Sequence, residues 1–179
     1  SRFPETAAIW LPGGAPVPAG ARLRLPVLAA TLKAYAEQGP GAITSGPVAA
    51  AVEATARAHG GILAASELAA YRPVWREPLR FSAFGWELAG MGLPSSGAIL
   101  LAETLGILKH LGWEAGTPAG AQRAHILAET WRRAYADRFL LGDPATSKAG
   151  PPQLLDPAWL GQRAATIDPL KATSSAEVL

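Results

Sequence analysis

The stretch AGAQRAHILAETWRRAYADRFLL, residues 119–141, does most to determine the fold class of this chain. Its apolar residues recur at helical spacing and predict one long helix whose inner face carries Ile126, Leu127, Trp131, Ala134 and Tyr135. Glu129, Arg133 and Asp137 stand four apart on another face, where they can pair in series. Each such pair stabilises a helix by roughly a few tenths of a kcal/mol. Gly142-Asp143-Pro144 then ends the helix.

Shorter helices are predicted on both sides of this stretch. They run from Pro26 to Gly39, from Pro47 to His59, from Ser66 as N-cap to Tyr71, from Ala98 to Leu111, and from Asp156-Pro157 onward through Trp159, Leu160 and Ile167. The helix at 98–111 is apolar nearly all round, which predicts that it is buried. Alternation of Leu79 and Phe81 with polar neighbours, a turn at Gly85, and further alternation to Leu88 predict a β-hairpin. Pro, Gly and Ser between residues 142 and 152 indicate a loop.

These elements indicate an α+β, mostly helical fold with one short hairpin. Residues 1–25 are rich in proline and glycine and are predicted to form an extended lead-in without a helix. Residues 26–167 form the helical region, with the hairpin near 78–90. Residues 168–179 are predicted to form a polar, loose tail.

Composition excludes several classes of protein. The 179 residues include no cysteine, which excludes a disulfide scaffold, a zinc ribbon and a thiol nucleophile. The net charge is only +2 and no run of Lys/Arg occurs, so no nucleic-acid partner is indicated. No segment approaches eighteen unbroken apolar residues, and no membrane span is predicted. The start, Ser1-Arg2-Phe3-Pro4, does not resemble a signal peptide, and we expect it to be a cut end. Composition does not indicate the cellular compartment of the protein.

Histidines are the first candidates for chemistry. His59 and His110 fall near predicted helix C-termini, where an imidazole favours the helix dipole. His125 and Glu129 lie four apart and could hold two corners of a metal site. Two ligands without a third make a poor site, so the sequence predicts no metal ion and no cofactor.

The remaining polar candidates also have ordinary structural interpretations. Ser95 and Ser96 lie in a turn before a helix, where N–H groups could face an anion, but either serine could simply cap the helix. Asp137-Arg138 and Asp143-Pro144 are typical of a helix-surface pair and a helix stop. The six tryptophans are interpreted as core or interface anchors rather than a sugar platform. The residues alone therefore predict no catalytic, substrate-binding or metal-binding residue in this chain.

Four segments, in order, resemble the gamma-glutamyltransferase (gamma-glutamyltranspeptidase) family. Leu11-Pro12 through Leu23 and Leu25 to Leu32 are similar to its L-x-x-G, G-x-x-L and Q-P-x-L-A-x-T-L motifs, and Gly60 to Tyr71 is similar to G-G-x-(L/I)-x-x-x-D-L-A-x-Y. Leu93 to Ala98 resembles P-P-P-S-S-G-G. His125 to Pro144 resembles H-x-x-x-E-A-x-(R/K)-x-A-(Y/F)-A-D-R-x-x-x-L-G-D-P.

The resemblance implies a fragment of an N-terminal-nucleophile hydrolase with an αββα fold, from the C-terminal half of the large subunit. It implies a proenzyme that cuts itself into two subunits, with the new N-terminal Thr of the small subunit as nucleophile and its amine as base. Members transfer or hydrolyse the gamma-glutamyl group of glutathione-like amides through an acyl-enzyme. The implied partners of this chain are the missing N-terminal part of the large subunit, the small subunit and, in the whole enzyme, a small gamma-glutamyl substrate.

The family's nucleophile lies in a T-T-H-type motif shortly after the matched region. That motif is absent here, and Thr166 and Thr173 lack the following His. The isolated chain is therefore predicted to be inactive, and, separated from its sheet, to expose apolar surface and self-associate. Many members are exported, but this sequence does not indicate a compartment.

Departures from the family's motifs leave the substrate open. Ile43-Thr44-Ser45-Gly46 replaces F-Y-x-G, Gly92-Leu93-Pro94 replaces the triple proline, Ala98 replaces a glycine, and Leu25-Pro26 replaces Q-P. The alternatives are an acylase or amidohydrolase of the same family, acting on cephalosporin side chains or capsule poly-glutamate, and a non-catalytic helical interaction module.

Overall fold

The computed structural model describes residues 3–178, which form two compact units. The first unit ends at Val74 and the second begins at Trp75. Ser1, Arg2 and Leu179, at the ends of the predicted lead-in and tail, lie outside the described residues. Helices dominate, with one two-stranded antiparallel sheet. This confirms the predicted α+β, mostly helical class. The predicted boundaries of the helical region, after residue 25 and after residue 167, remain predictions.

Among its described residues, 3–74, the first unit contains helices and no strand. They are α1 (Pro4–Trp10), α2 (Pro26–Gln38), α3 (Gly41–Thr44), α4 (Pro47–Ala58) and α5 (Ala65–Ala70). Helices α2 and α4 begin with proline at the first helical position, as predicted, because that residue's missing N–H would be unpaired there anyway. The predicted Ser66 cap of α5 is wrong: the N-cap is Ala64, whose N–H donates to the Glu67 carboxylate at 2.8 Å.

Helix α1 corrects the predicted extended lead-in. The prolines and glycines between residues 12 and 20 led to the prediction of an extended segment, but a helix of seven residues lies just before them. Pro4 begins that helix and Glu5 lies in its first turn, where a carboxylate interacts favourably with the helix dipole. A 3₁₀ turn at Pro12–Gly14 follows, and the chain is irregular from there to α2.

The second unit begins with the predicted hairpin. Strands β1 (Leu79–Ala83) and β2 (Trp86–Gly90) pair antiparallel, with Phe81 opposite Leu88. Phe84 and Gly85 form the two-residue turn, and both have positive φ, at 52° and 80°. Such turns match the right-handed twist of the strands, and glycine adopts this conformation without steric cost.

The described part of the second unit continues with five α-helices, and a 3₁₀ turn at Arg138–Leu140 follows the second of them. The helices are α6 (Gly97–His110), α7 (Gly120–Asp137), α8 (Pro151–Leu154), α9 (Pro157–Ala165) and α10 (Ser175–Val178). Helix α6 is buried as predicted and contributes Ile107 and Leu108 to the core, where α7 and α9 pack against it. The cap of α9 is also confirmed, since the Asp156 carboxylate accepts hydrogen bonds from Ala158 and Trp159 N–H groups. Helix α8 lies at the end of the predicted loop, with proline at its first two positions.

The inner face of α7 differs from the prediction. Ile126 and Ala134 are buried as expected, but Trp131 and Tyr135 are more than half exposed. The face that carries Glu129, Thr130, Arg133 and Asp137 is buried instead. Charged residues can occupy such a face only when each has a partner. Glu129 and Arg133 pair with each other, and the other partners lie far away in the sequence.

The tail after α9 includes a short helix, which the prediction of a polar, loose tail did not contain. Helix α10 lies against α7, and Val178 is buried. The tail is polar, as its composition indicates, and most of its side chains are exposed, while Thr173 and the Asp168 carbonyl bind polar groups of α7.

Candidate functional site

The most distinctive polar site in the second unit is the buried face of α7. Arg133 donates from Nη1 to a Glu129 carboxylate oxygen at 2.9 Å, and both side chains are only 1% exposed. The predicted pairing of residues 129 and 133 is therefore confirmed. Its location in the interior makes it a different interaction from the surface pair that was predicted, because a buried charge without a partner would be strongly destabilising.

Arg133 also binds the chain that follows α9. Its Nε donates to Thr166 Oγ1 at 2.7 Å, and its Nη2 donates to the Thr166 carbonyl at 2.6 Å and to Thr173 Oγ1 at 3.2 Å. A planar guanidinium is the one side chain that can serve so many acceptors in a fixed fork. Arg133 thus holds both ends of the segment 166–173.

Glu129 binds the same segment from the other side. Its Oε1 accepts a hydrogen bond of 3.2 Å from the Thr173 N–H, while Arg132 lies 3.7 Å from that oxygen and donates to the Thr173 carbonyl. Burial alone would raise the pKa of Glu129. Hydrogen bonds from Thr173 and Arg133 and the charge of Arg132 outweigh burial and hold this pKa below its usual value. The carboxylate is therefore charged across the neutral range.

A second ion pair lies at the C-terminal end of α7. Asp137 accepts from Arg163 Nε at 2.9 Å and from Trp159 Nε1 at 3.2 Å. The predicted pairing of Arg133 with Asp137 is wrong, and so is the predicted surface pair of Asp137 with Arg138, because Asp137 is buried and pairs with α9. The Arg163 guanidinium also lies 4.8 Å from the centre of the Trp159 ring, which joins the three side chains into one cluster.

Glu103 of α6 adds a second carboxyl group to this cluster. It is fully buried, and neither of its oxygens receives a hydrogen bond from a protein donor. Burial, followed by the neighbouring Asp137 carboxylate, raises the pKa of Glu103 to about 9. Glu103 is therefore protonated at neutral pH, and the cluster contains one carboxylate charge instead of two.

The candidate metal pair does not come together. His125 Nε2 lies 2.9 Å from the Asp168 carbonyl oxygen, whereas Glu129 is bound by Arg133 and Thr173. No group of three or more potential metal ligands occurs among residues 3–178. His59 caps the C-terminus of α4 and His110 is the last residue of α6, which confirms their predicted positions.

The Ser95-Ser96 turn has a structural explanation. Ser96 is at the N-cap position of α6, but its hydroxyl makes no cap bond; it accepts instead from Arg138 Nε at 3.2 Å. The Asp143 carboxylate accepts from the Ala145 N–H at 3.0 Å, as expected for the turn after a helix. Neither motif contains a nucleophile paired with a base, which acyl transfer requires.

Each unit also exposes large apolar side chains. In the first unit, Val27 is 80% exposed and Ile62 is 97% exposed, and an apolar groove of about 620 Å³ lies between α2 and α4. In the second unit, Trp75 is fully exposed, and Trp86, Trp131 and Phe139 are more than half exposed. Exposed patches of this kind are typical of surfaces that pack against other protein. Within residues 3–178, no helix combines the length and hydropathy that crossing a bilayer requires.

Sequence reasoning missed most of the partners in the buried clusters. The only signal was the four-residue spacing of Glu129, Arg133 and Asp137, which does not distinguish a buried face from an exposed one. Glu103 stands alone in an apolar helix, and a carboxyl at such a position indicates a buried polar contact. Thr166 and Thr173 were considered only as nucleophiles, but both are ligands of Arg133.

Comparison with known proteins places this geometry in a family. The sequence profile described as Gamma-glutamyltranspeptidase matches residues 1–178. The chain is 37% identical to the Acylase ACY 1 proenzyme of Pseudomonas sp. strain SE83, over 97% of this chain and 31% of that protein. It is 38% identical to the Glutathione hydrolase proenzyme of Pseudomonas aeruginosa, over 89% of this chain and 29% of that protein.

A solved structure agrees with these matches. The gamma-glutamyltranspeptidase from Pseudomonas nitroreducens complexed with L-DON superposes with a TM-score of 0.78 at 32% identity, covering 96% of this chain and 51% of that chain. The chain spans about a third of the length of the curated relatives it matches, and its match is to a partial, large-subunit region. This chain belongs to the gamma-glutamyltranspeptidase family.

Proposed function

We propose that this chain is the C-terminal half of the large subunit of a gamma-glutamyltransferase-like enzyme. The observation that carries the proposal is the family match over residues 1–178, combined with coverage of only about a third of each relative. The nucleophile then belongs to the small subunit, which would pack with this chain and with the N-terminal part of the large subunit. The substrate class is a small gamma-glutamyl amide.

The chemistry of the whole enzyme would run through an acyl-enzyme. The hydroxyl oxygen of an N-terminal Thr attacks the amide carbonyl carbon, its proton passes through the α-amine to the leaving amine, and the C–N bond breaks. Water then hydrolyses the resulting ester, or an acceptor amine takes the acyl group. Hydrogen-bond donors that face the oxyanion stabilise both tetrahedral intermediates. Both curated relatives described above are named proenzymes, in agreement with release of such a terminus by self-cleavage.

The role of this chain in that enzyme is to support the catalytic sheet and one wall of the cleft. The apolar side chains exposed on α2 and in the segment around Trp75 supply surface for this packing. The sequence contains no Thr-Thr-His motif, and its two tail threonines are bound to Arg133. The isolated chain is therefore expected to be inactive and to self-associate through its exposed apolar surface.

A second candidate function is that of an acylase from the same family. Its basis is the near-equal identity to an acylase proenzyme, 37%, and to a glutathione hydrolase proenzyme, 38%. These enzymes would share the nucleophile and differ in what they recognise at the far end of the acyl group.

Two substrates that differ in a single group separate these candidates. Gamma-glutamyl-p-nitroanilide and glutaryl-p-nitroanilide have the same scissile amide, and only the former carries an α-amine. We expect the full-length protein to release p-nitroaniline at least about tenfold faster from the gamma-glutamyl compound, since a site built for a charged amine leaves groups unpaired without it. The reverse preference would establish the acylase. Release from neither compound, with no cleavage of the protein, would favour the non-catalytic interaction module.

A further inference from the structure

The tail after α9 is attached to the protein interior more firmly than its composition requires. Its residues are mostly polar and small, and such a segment normally remains loose. Here its contacts converge on two adjacent turns of α7. Arg133 and Glu129 are both 99% buried, and together they bind Thr166 and Thr173 through four hydrogen bonds of 2.6 to 3.2 Å.

The arrangement constrains the direction of the chain as well as its position. One guanidinium holds the carbonyl and hydroxyl of Thr166, which ends α9, and also the hydroxyl of Thr173. Glu129 accepts from the N–H of Thr173, while Arg132 donates to the carbonyl of the same residue. Both backbone polar groups of Thr173 are therefore fixed, which sets the path of the chain on each side of it.

A second contact with α7 follows along the chain. Helix α10 follows immediately, lies against α7, and buries Val178. His125 adds a contact at 2.9 Å to the carbonyl of Asp168 within the held segment. Helix α7 thus contacts this segment at Thr166, Asp168 and Thr173 through polar groups of residues 125–133, and again at α10.

We propose that the Glu129–Arg133 pair is a positioning device for self-cleavage. By fixing residues 166–173, it directs the chain that continues beyond them towards the catalytic half in one orientation, so that the attacking hydroxyl meets its peptide carbonyl. This inference rests on the proposed function, because it requires a proenzyme that is cut after this region. Reactions between groups on one chain depend steeply on such orientation.

The variant that tests the proposal is Arg133→Lys in the full-length proenzyme. An ammonium can still pair with Glu129, but it cannot at the same time serve the carbonyl and hydroxyl of Thr166 and the hydroxyl of Thr173. The matched control is Arg163→Lys, which makes the same change in the neighbouring Arg163–Asp137 pair. The Arg163 side chain does not bind residues 166–173. Self-cleavage is followed by gel electrophoresis, and the KM and kcat of the fully cleaved enzymes are measured with gamma-glutamyl-p-nitroanilide.

We expect Arg133→Lys to slow self-cleavage at least tenfold while leaving the KM and kcat of the cleaved enzyme within twofold of wild type. Arg163→Lys should cleave at the wild-type rate, even if it melts at a lower temperature. In the same proteins, hydrogen exchange of the Thr173 N–H should become at least tenfold faster in Arg133→Lys only. If Arg133→Lys does not fold, the Thr166→Val/Thr173→Val variant replaces it, since it removes two acceptors and leaves the ion pair intact.

The outcomes separate the two proposals. A wild-type protein that cleaves itself, combined with variants that cleave at the same rate, would overturn the positioning role and leave the proposed function standing. Equal slowing by Arg133→Lys and Arg163→Lys would also overturn it, since a general loss of stability would then explain both. A wild-type full-length protein that never cleaves would overturn the proposed function and the positioning role together.

Discussion

Nε of Arg163 on α9 lies 2.9 Å from Oδ2 of Asp137 on α7, and this ion pair connects two helices that both pack against α6. Asp137 is only 1% exposed, and the Glu103 carboxyl of α6 is also part of the cluster. One cation therefore neutralises a site that contains two acids. The stability of this unit depends on that balance of charge.

Replacing the cation tests this dependence. Arg163→Met should lower the free energy of unfolding by about 3 kcal/mol, because it leaves a buried carboxylate without its partner. Arg163 itself is partly exposed, so the loss should lie at the lower end of the range for buried pairs. Urea unfolding measures it. Arg123→Met, which removes an exposed arginine bound only to residues 117 and 118, is the control and should be nearly neutral. A loss below about 1 kcal/mol for Arg163→Met would contradict the account.

The pH dependence of stability should reveal the proton on Glu103. The pKa of Glu103 is raised from 4.5 to about 9 in the folded protein, so between these values the folded state holds a proton that the unfolded state has lost. The favourable contribution is complete below pH 4.5, decreases as pH rises, and is gone above about pH 9. The slope can reach about 1.4 kcal/mol per pH unit.

Glu103→Gln removes this titrating proton and keeps the side chain neutral at every pH. Its advantage over wild type in the free energy of unfolding should grow steadily from pH 5 to pH 9, as measured by urea unfolding at intervals of one pH unit. Glu114→Gln changes a partly exposed glutamate and should leave the wild-type slope unaltered. Parallel curves for wild type and Glu103→Gln would show that Glu103 is not protonated in the folded protein.

The contact between the hairpin and α6 has little free space at Gly90. A Cβ there would lie 2.6 Å from the Cβ of Ala98, which cannot move without displacing the helix. Gly90→Ala should therefore lower the free energy of unfolding by about 1–3 kcal/mol. Adding Ala98→Gly should recover most of this loss, because it removes the opposing methyl group.

A glycine in an open position provides the comparison for Gly90. A Cβ at Gly142 would make ordinary contact at 3.7 Å with Thr146, and its φ is not positive. Gly142→Ala should change stability by less than about 0.5 kcal/mol. If thermal melts show that Gly90→Ala changes stability as little as Gly142→Ala does, β2 and α6 do not approach each other as closely as described.

The exposed apolar surface predicts that the isolated chain self-associates. Sedimentation should show a mean mass that rises with concentration, and an apolar dye should bind. Val27→Glu should weaken both effects without loss of stability, since Val27 is 80% exposed on α2. Ala30→Glu adds the same charge to the same helix without removing a large side chain and should weaken them less. A monomeric chain that binds no dye would contradict this role for the surface.

Local signals in the sequence predicted the elements well. Proline at the start of α2, α4 and α9, glycine or proline after their ends, and alternation around Gly85 each act within a few residues. The error at α1 had the same local origin. The prolines and glycines from residue 12 onward indicate irregular chain, and this interpretation was wrongly applied to the short helix before them as well.

The buried clusters could not be predicted in this way because their partners are distant. Arg133 meets Thr173 forty residues later, and Asp137 meets Arg163 twenty-six residues later. Spacing within α7 indicated that Glu129 and Arg133 could pair, but it did not show that their face is the inner one. Trp131 and Tyr135 were assigned to the core for their hydrophobicity, yet both are exposed, as residues at an interface with further protein would be.

The most direct test of the central claim is to produce the full-length protein from its gene and follow it by gel electrophoresis and mass spectrometry, with gamma-glutamyl-p-nitroanilide as substrate. The account predicts that it cuts itself into two chains, that the second begins with Thr, and that p-nitroaniline is released by the cut protein but not by residues 1–179 alone. A full-length protein that stays intact and inactive, or an isolated chain that hydrolyses the substrate, would contradict it.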